Sequence, residues 1–248
     1  MERVAAQHEL PELLRLYDEV DRPAPDGRPW VLGNMVGGLD GCAAMSGRVG
    51  ALSTPVDAAL FRGLRSVADV VLVGAETVRR ERYGPVRLAE PLRAARVGAG
   101  RAAAPPIAVV SRSLDIDWSI PLFAEAEPDA RPLLVTCSAS PEDRRLEAGK
   151  RADLLIAGEE SVDVGAALGQ LRVRGHRVLL CEGGPTLLGE LAGRGLLDEL
   201  CLTLSPLMGG DPLPLAVTPA GGAVSRFAVR HAVTAEDGTV FLRYERTP

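Results

Sequence analysis

The residues best suited to chemistry sit in short clusters, each following an apolar run. Glu182-Gly183-Gly184-Pro185-Thr186-Leu187-Leu188 follows Val178-Leu179-Leu180-Cys181. The apolar run predicts a buried strand, the two glycines a turn, and Pro185 the first residue of a helix, where its missing N–H costs nothing. A helix N-terminus reached through glycines presents unpaired N–H groups that favour phosphate. Glu182 places a carboxylate beside that anion site, although the same pattern also builds an ordinary strand–turn–helix corner. Ser111-Arg112-Ser113 follows Ile107-Ala108-Val109-Val110; a hydroxyl–guanidinium–hydroxyl run suits a phosphate monoester, or a solvated loop. Asp57 lies in the first turn of a helix opened by Ser53-Thr54-Pro55, with Arg65 two turns later. The helix dipole alone favours a carboxylate there. Asp40, within Gly37-Gly38-Leu39-Asp40-Gly41, reads as turn chemistry or as a direct participant.

These clusters need elements to hold them. Apolar runs predict strands at 30–36, 69–73, 107–110, 133–136, 154–156, 178–181 and 199–204. Val56, Ala59, Leu60, Leu64 and Val67 share one helical face, as do Val164, Ala167, Leu168 and Leu171. Strands alternating with helices indicate an α/β fold whose mostly parallel sheet is covered on both faces. The last two strands, Phe227 to Val233 and Thr239 to Tyr244, flank Glu236-Asp237-Gly238 as an antiparallel hairpin. Ligands of such sheets bind outside the carboxyl ends of the strands, where 38–41, 74–77, 111–113 and 182–186 all fall. Residues 89–106, rich in Ala, Arg, Gly and Pro, read as a mobile loop. Residues 1–29 read as an N-terminal extension with one amphipathic helix (Leu10, Leu13, Leu14, Tyr17), and 30–248 as one folded domain.

Composition excludes several classes. The chain has 248 residues, is 46% apolar and carries a net charge of −5, which argues against nucleic acid as the main partner. Lys150 is its only lysine, so Arg supplies the other basic residues. The first residues do not read as a signal peptide, no membrane-length apolar span is expected, and of the four scattered cysteines Cys137, Cys181 and Cys201, in apolar runs, read as reduced core residues of a cytoplasmic protein. There is no Gly-x-Gly-x-x-Gly after a strand, no P-loop, no Gly-x-Ser-x-Gly and no zinc-deaminase spacing, and no metal is expected. His8, His176 and His231 are isolated. What remains is several phosphate-friendly strand ends with few acids and bases, a pattern that fits an extended dinucleotide whose cofactor chemistry carries the hard step.

Asn34 to Gly41, Ser53-Thr54-Pro55, Leu72-Val73-Gly74-Ala75-Glu76-Thr77-Val78, Glu182-Gly183-Gly184-Pro185-Thr186-Leu187 and Leu197-Asp198-Glu199-Leu200-Cys201-Leu202-Thr203 together resemble the riboflavin-biosynthesis pyrimidine reductase family. The likeness is to the C-terminal reductase half of the bifunctional deaminase–reductase, looks closest to the stand-alone actinobacterial members, and spans about 30–246. It implies a dihydrofolate-reductase-like three-layer α/β/α fold, a homodimer and NADPH as hydride donor. The reaction implied is reduction of the ribosyl group of 5-amino-6-(5-phosphoribosylamino)uracil to the ribityl level. By position, Gly37, Thr77, Glu81, Gly183, Gly184, Pro185, Thr186, Leu187 and Leu188 would line the cofactor, and Ser111 and Arg112 would meet its 2′-phosphate. Asn34, Arg65, Arg87 and Glu182 would face the substrate, the two arginines its phosphate. Val49 and Ala51 depart from the polar or aromatic groups of bifunctional members. Pro55 to Phe61 is also similar to the first active-site helix of dihydrofolate reductases, which makes Asp57 a candidate for gripping a heterocycle. Asp57 and Glu182 are thus the candidate catalytic residues. A pteridine or dihydrofolate reductase and a non-catalytic NADPH-binding module remain alternatives on the same scaffold.

Overall fold

A computed structural model describes residues 2–4, 10–127 and 130–247. In chain order the elements are β1 (Glu2–Val4), α1 (Leu10–Asp18), β2 (Trp30–Gly37), α2 (Pro55–Leu64), β3 (Val70–Gly74), α3 (Ala75–Arg80), α4 (Glu90–Gly98), β4 (Ile107–Val110), α5 (Pro121–Ala124), β5 (Leu133–Thr136), α6 (Glu142–Arg151), β6 (Asp153–Ile156), α7 (Val164–Val173), β7 (Val178–Cys181), α8 (Pro185–Gly193), β8 (Glu199–Leu204), β9 (Phe227–Ala235) and β10 (Val240–Arg246). They form one ten-stranded sheet of order β1-β9-β10-β8-β2-β7-β3-β4-β5-β6. From β8 to β6 every neighbouring pair is parallel. β10 runs antiparallel to both β8 and β9, which completes the expected C-terminal hairpin.

The inner strands β3, β4, β5 and β7 are near-continuous apolar runs because both of their faces are covered. Along β3, Val71 and Val73 enter one core while Val70 and Leu72 enter the other, the two-residue period of a strand. The first core is closed by Leu13 and Tyr17 of α1, Leu60 and Leu64 of α2 and Ala148 of α6. The second is closed by Leu168 and Leu171 of α7 and Leu188 and Leu191 of α8. The result is three layers, α/β/α, with a mostly parallel sheet in the middle.

Residues 89–106 are not a loop throughout, since 90–98 form α4. Ala and Leu favour the helix, and Pro91 falls in its first turn, where proline is tolerated. The buried Arg96 fixes it in place by donating to the carbonyls of Ser66, Ala68 and Ala102 at 2.6–2.9 Å. Before residue 30, Leu13 and Tyr17 are fully buried, and Arg22 makes a two-pronged pair with Glu199 at 2.7 and 2.9 Å. Arg243 and the Trp30 indole N–H donate to the same carboxylate at 2.6 and 3.1 Å. The side chain of Leu10 and the whole of His8 lie outside the described residues. Among the described residues, no helix is long and apolar enough to cross a membrane.

Candidate active site

The carboxyl ends of β2, β3, β4 and β7 open into a cleft of about 1300 Å³. α2 forms one wall. Its start is fixed by Thr54, whose side chain accepts from the Asp57 N–H at 3.3 Å, and by Pro55 in the first turn. Asp57, Phe61 and Arg65 are spaced by four residues, so one side of α2 presents all three to the cleft.

Across the cleft, Glu182 follows β7 with its side chain 1% exposed. Arg65 donates to both of its oxygens, Nε to Oε1 at 2.7 Å and Nη2 to Oε2 at 2.8 Å, and Tyr83 donates its hydroxyl to Oε2 at 2.9 Å. The guanidinium also lies 4.4 Å from the Phe61 ring centroid and 5.5 Å from that of Tyr83. Burial alone would lower the Arg65 pKa, but the Glu182 charge and hydrogen bonds outweigh it and hold the group above its ordinary value. Burial, then the Glu182 charge, push the Tyr83 phenol upward, so it stays a donor. Asp57 is 5% exposed and takes hydrogen bonds from Ser53 and from the Thr203 side chain. Burial nevertheless dominates and raises its carboxyl above the usual range.

The other end of the cleft is built from backbone turns. Gly184, Pro185, Thr186 and Leu187 line it at the start of α8, whose N-terminus has no side-chain cap. Gly183 has φ +80° and its peptide to Gly184 is cis. A Cβ on Gly184 would lie 2.7 Å from the Thr77 hydroxyl, so glycine there lets the starts of α3 and α8 close together. Thr77, Glu81, Ser111 and Arg112 line the same region, and Asn34 reaches the cleft from β2. Glu81 accepts from the Val49 N–H at 3.2 Å, tying the loop before α2 to the end of α3.

Gly37, Gly183, Leu188 and Arg87 do not line the cleft. A Cβ on Gly37 would meet Leu215 and the Cys42 carbonyl, one on Gly183 would meet Met35, and Leu188 is core. Arg87 is exposed and pairs with Glu125 at 2.5 Å. Asp40 accepts from the N–H groups of Cys42, Gly209 and Gly210, a turn role away from the cleft lining. Sequence reasoning passed over Tyr83, whose only visible signal was the helix-stopping Tyr83-Gly84-Pro85. It also passed over Thr203, for which β-strand alternation gave no hint of a polar partner.

The RibD C-terminal domain model matches residues 29–241. The chain is 32% identical over 190 residues to the 2,5-diamino-6-ribosylamino-4(3H)-pyrimidinone 5′-phosphate reductase of Archaeoglobus fulgidus, covering 75% of this chain and 85% of that one. It is 29% identical to the protein of the same name from Methanothermobacter thermautotrophicus, over 74% and 80% of the two chains. A pyrimidine reductase-like protein of Corynebacterium diphtheriae superposes with a TM-score of 0.80 at 26% identity, over 95% of both chains. The Thermotoga maritima diaminohydroxyphosphoribosylaminopyrimidine deaminase/5-amino-6-(5-phosphoribosylamino)uracil reductase shares the fold with a TM-score of 0.64 at 19% identity, over 89% of this chain and 57% of that one. By sequence match and by fold, this chain belongs to the RibD C-terminal domain family.

Proposed function

We propose that the chain is an NADPH-dependent reductase of a ribosylaminopyrimidine 5′-phosphate, converting the ribosyl group to ribityl. The observation that carries this reading is the division of the cleft. One end offers an uncapped helix N-terminus reached through glycines, together with Ser111 and Arg112. The other offers carboxylates, an arginine and two aromatic rings. At about 1300 Å³ the space exceeds that usual for one drug-sized ligand, roughly 300–1,000 Å³, and suits two ligands side by side.

The turn residues Gly184 to Leu187 would hold a pyrophosphate, and Ser111 with Arg112 would favour a cofactor carrying a further phosphate. When bound, the nicotinamide supplies a hydride. The reduction adds that hydride at C1′ of the ribose and a proton at the ring oxygen as the C1′–O bond breaks. The chain's part is to bind, orient and exclude water. Arg65 and Tyr83 hold Glu182 rigidly, so its carboxylate stands ready for a ribose hydroxyl, while Asp57 and Phe61 form the end suited to a planar ring. Arg65 remains a candidate for the substrate phosphate with part of its charge already taken by Glu182.

The test follows absorbance of the reduced nicotinamide with purified protein, given the ribosylaminopyrimidine phosphate or dihydrofolate. Turnover with the pyrimidine and none with dihydrofolate is expected. Turnover mainly with dihydrofolate would replace this reading by a pteridine reductase. Cofactor binding without either turnover would leave a nucleotide-binding module.

A further inference from the structure

Six arginines line the cleft, and four of them are matched by acids of the chain itself. Arg65 pairs with Glu182, Arg79 and Arg80 with Glu76, and Arg194 with Glu190 and Asp163. Arg82 and Arg112 form no ion pair among the described residues; Asp117 feels the Arg82 charge only at longer range. An arginine already paired has little charge left for an anion, so these two are the cations the cleft holds in reserve. Arg112 follows β4 beside Ser111, at the end given above to the cofactor.

Arg82 lies at the opposite end of α3 from the cofactor turn. Thr77, in the first turn of α3, sits against Gly184. Five residues on, about 7 Å further along the axis, the chain reaches Arg82. Its neighbours there face the other ligand. Tyr83 donates to Glu182, and Glu81 accepts from Val49 in the loop before α2. The backbone at this point is fixed. The Tyr83 N–H donates to the Val78 carbonyl at 3.1 Å and the Arg82 N–H to the Arg79 carbonyl at 3.4 Å, a Schellman ending of the helix. That ending puts Arg82 in the left-handed region, at φ +47°, where glycine is the usual residue. Two other non-glycine residues have positive φ among the described residues, and each has a local reason. Ser46 is in a turn held by Asp211, and the Leu114 side chain is buried in the core. The Arg82 side chain is exposed at the cleft and gains nothing from packing. A long cation kept in a conformation suited to glycine points to a ligand for the guanidinium.

We propose that Arg82 binds the 5′-phosphate of the substrate, as the uncommitted cation beside an Arg65 whose charge is partly taken by Glu182. This rests on the reductase reading above, whose substrate carries that phosphate. The guanidinium fork donates to two phosphate oxygens from the fixed end of α3. Held at that end, the ribose is kept in place while C1′ meets the hydride, so the contact contributes to positioning and not to the bond changes. Arg87, exposed and paired with Glu125 outside the cleft lining, is the competing cation.

The experiment compares kcat/KM for the ribosylaminopyrimidine 5′-phosphate and for the same compound without its phosphate. Parent, Arg82→Gly, Arg82→Lys and Arg87→Gln are assayed side by side. Arg82→Gly is expected to lower kcat/KM for the phosphorylated substrate by about ten- to a hundredfold, the scale of a lost charge-assisted contact, with a far smaller effect on the other. Its thermal midpoint should equal or exceed that of the parent, because glycine suits the left-handed turn, so misfolding does not explain the loss. Arg82→Lys should recover part of the activity, as a point charge without the fork. Equal losses of both substrates in Arg82→Gly, or no loss of either, would overturn the proposal. So would a phosphate-selective loss in Arg87→Gln with Arg82→Gly unaffected, or a parent indifferent to the phosphate. A parent that reduces neither pyrimidine would instead remove the reductase reading, and the proposal with it.

Discussion

Glu182 lies 117 residues from Arg65 and 99 from Tyr83 in sequence, yet both donate to it in the cleft wall. With its carboxylate 1% exposed, the cation is what makes the ionised form tolerable there. Arg65→Met leaves that charge buried and unpaired and is expected to cost about 3–5 kcal/mol, read as a fall in denaturant midpoint. Tyr83→Phe removes one hydrogen bond to a charged group, about 1.5–3 kcal/mol by the same assay. In an Arg65→Met/Glu182→Met double variant much of the first loss should be recovered, because no orphaned charge remains; additive losses would count against this account. Asp57 makes the opposite kind of prediction. Its folded pKa is raised, so its contribution to stability is whole below the ordinary carboxylate pKa and is lost as pH rises through the folded value. Asp57→Asn keeps an acceptor for Ser53 and does not ionise. Its thermal midpoint relative to the parent should therefore rise from acidic to neutral pH, in a scan of both proteins across pH, even as activity falls.

At the scale of elements, α8 carries the cofactor end of the proposed site and is held from outside by the chain that follows β8. The Val217 N–H donates to the Pro185 carbonyl at 3.0 Å and the Ala223 N–H to the Gly193 carbonyl at 2.7 Å. That crossing is possible because α8 is bare at Gly189 and Gly193: a Cβ on Gly189 would lie 1.9 Å from the Val217 oxygen. Gly189→Ala should lift the crossing segment from the helix and destabilise the protein by about 1–3 kcal/mol, with a weaker affinity for NADPH in titration calorimetry. Unchanged stability would mean that the segment is free to move aside. Much of this architecture was legible beforehand, because strands buried on both faces write themselves as apolar runs and Gly-Gly-Pro marks the α8 corner. α4 was not, since its alanines, arginines and flanking glycines carry no apolar stripe and its anchor is a buried Arg96 on backbone carbonyls. Nor was the commitment of Arg65 to Glu182, which depends on strand order and not on spacing. Arg87 shows the converse limit: its position in the chain suggested the substrate, whereas the path of the loop carries it outward to Glu125.

For the whole molecule, the first and last parts of the chain are joined through a buried polar layer. Arg22 and Arg243 share Glu199, and Tyr17 of α1 meets His231 of β9 edge-on at 4.7 Å. His231 is pushed down to about 4, first by burial and then by the Arg243 charge, and its Nε2 is buried without a hydrogen-bond partner among the described residues. An unfolded chain returns this imidazole to an ordinary value of about 6.5. Between those values the unfolded state binds the proton more readily than the folded one, so stability is intact above the ordinary pKa and declines as pH falls toward the folded one. His231→Phe keeps a ring against Tyr17 and removes the titration. Compared with the parent, this variant should gain stability progressively as pH is lowered through that window, in urea unfolding followed by tryptophan fluorescence. Asp57 works in the opposite sense, so the difference between variant and parent, not the raw pH profile, isolates the histidine. A difference that stays constant with pH would mean that His231 charges in the folded protein as easily as in water. The junction between α1 and β9 would then have to open to solvent well before the sheet unfolds.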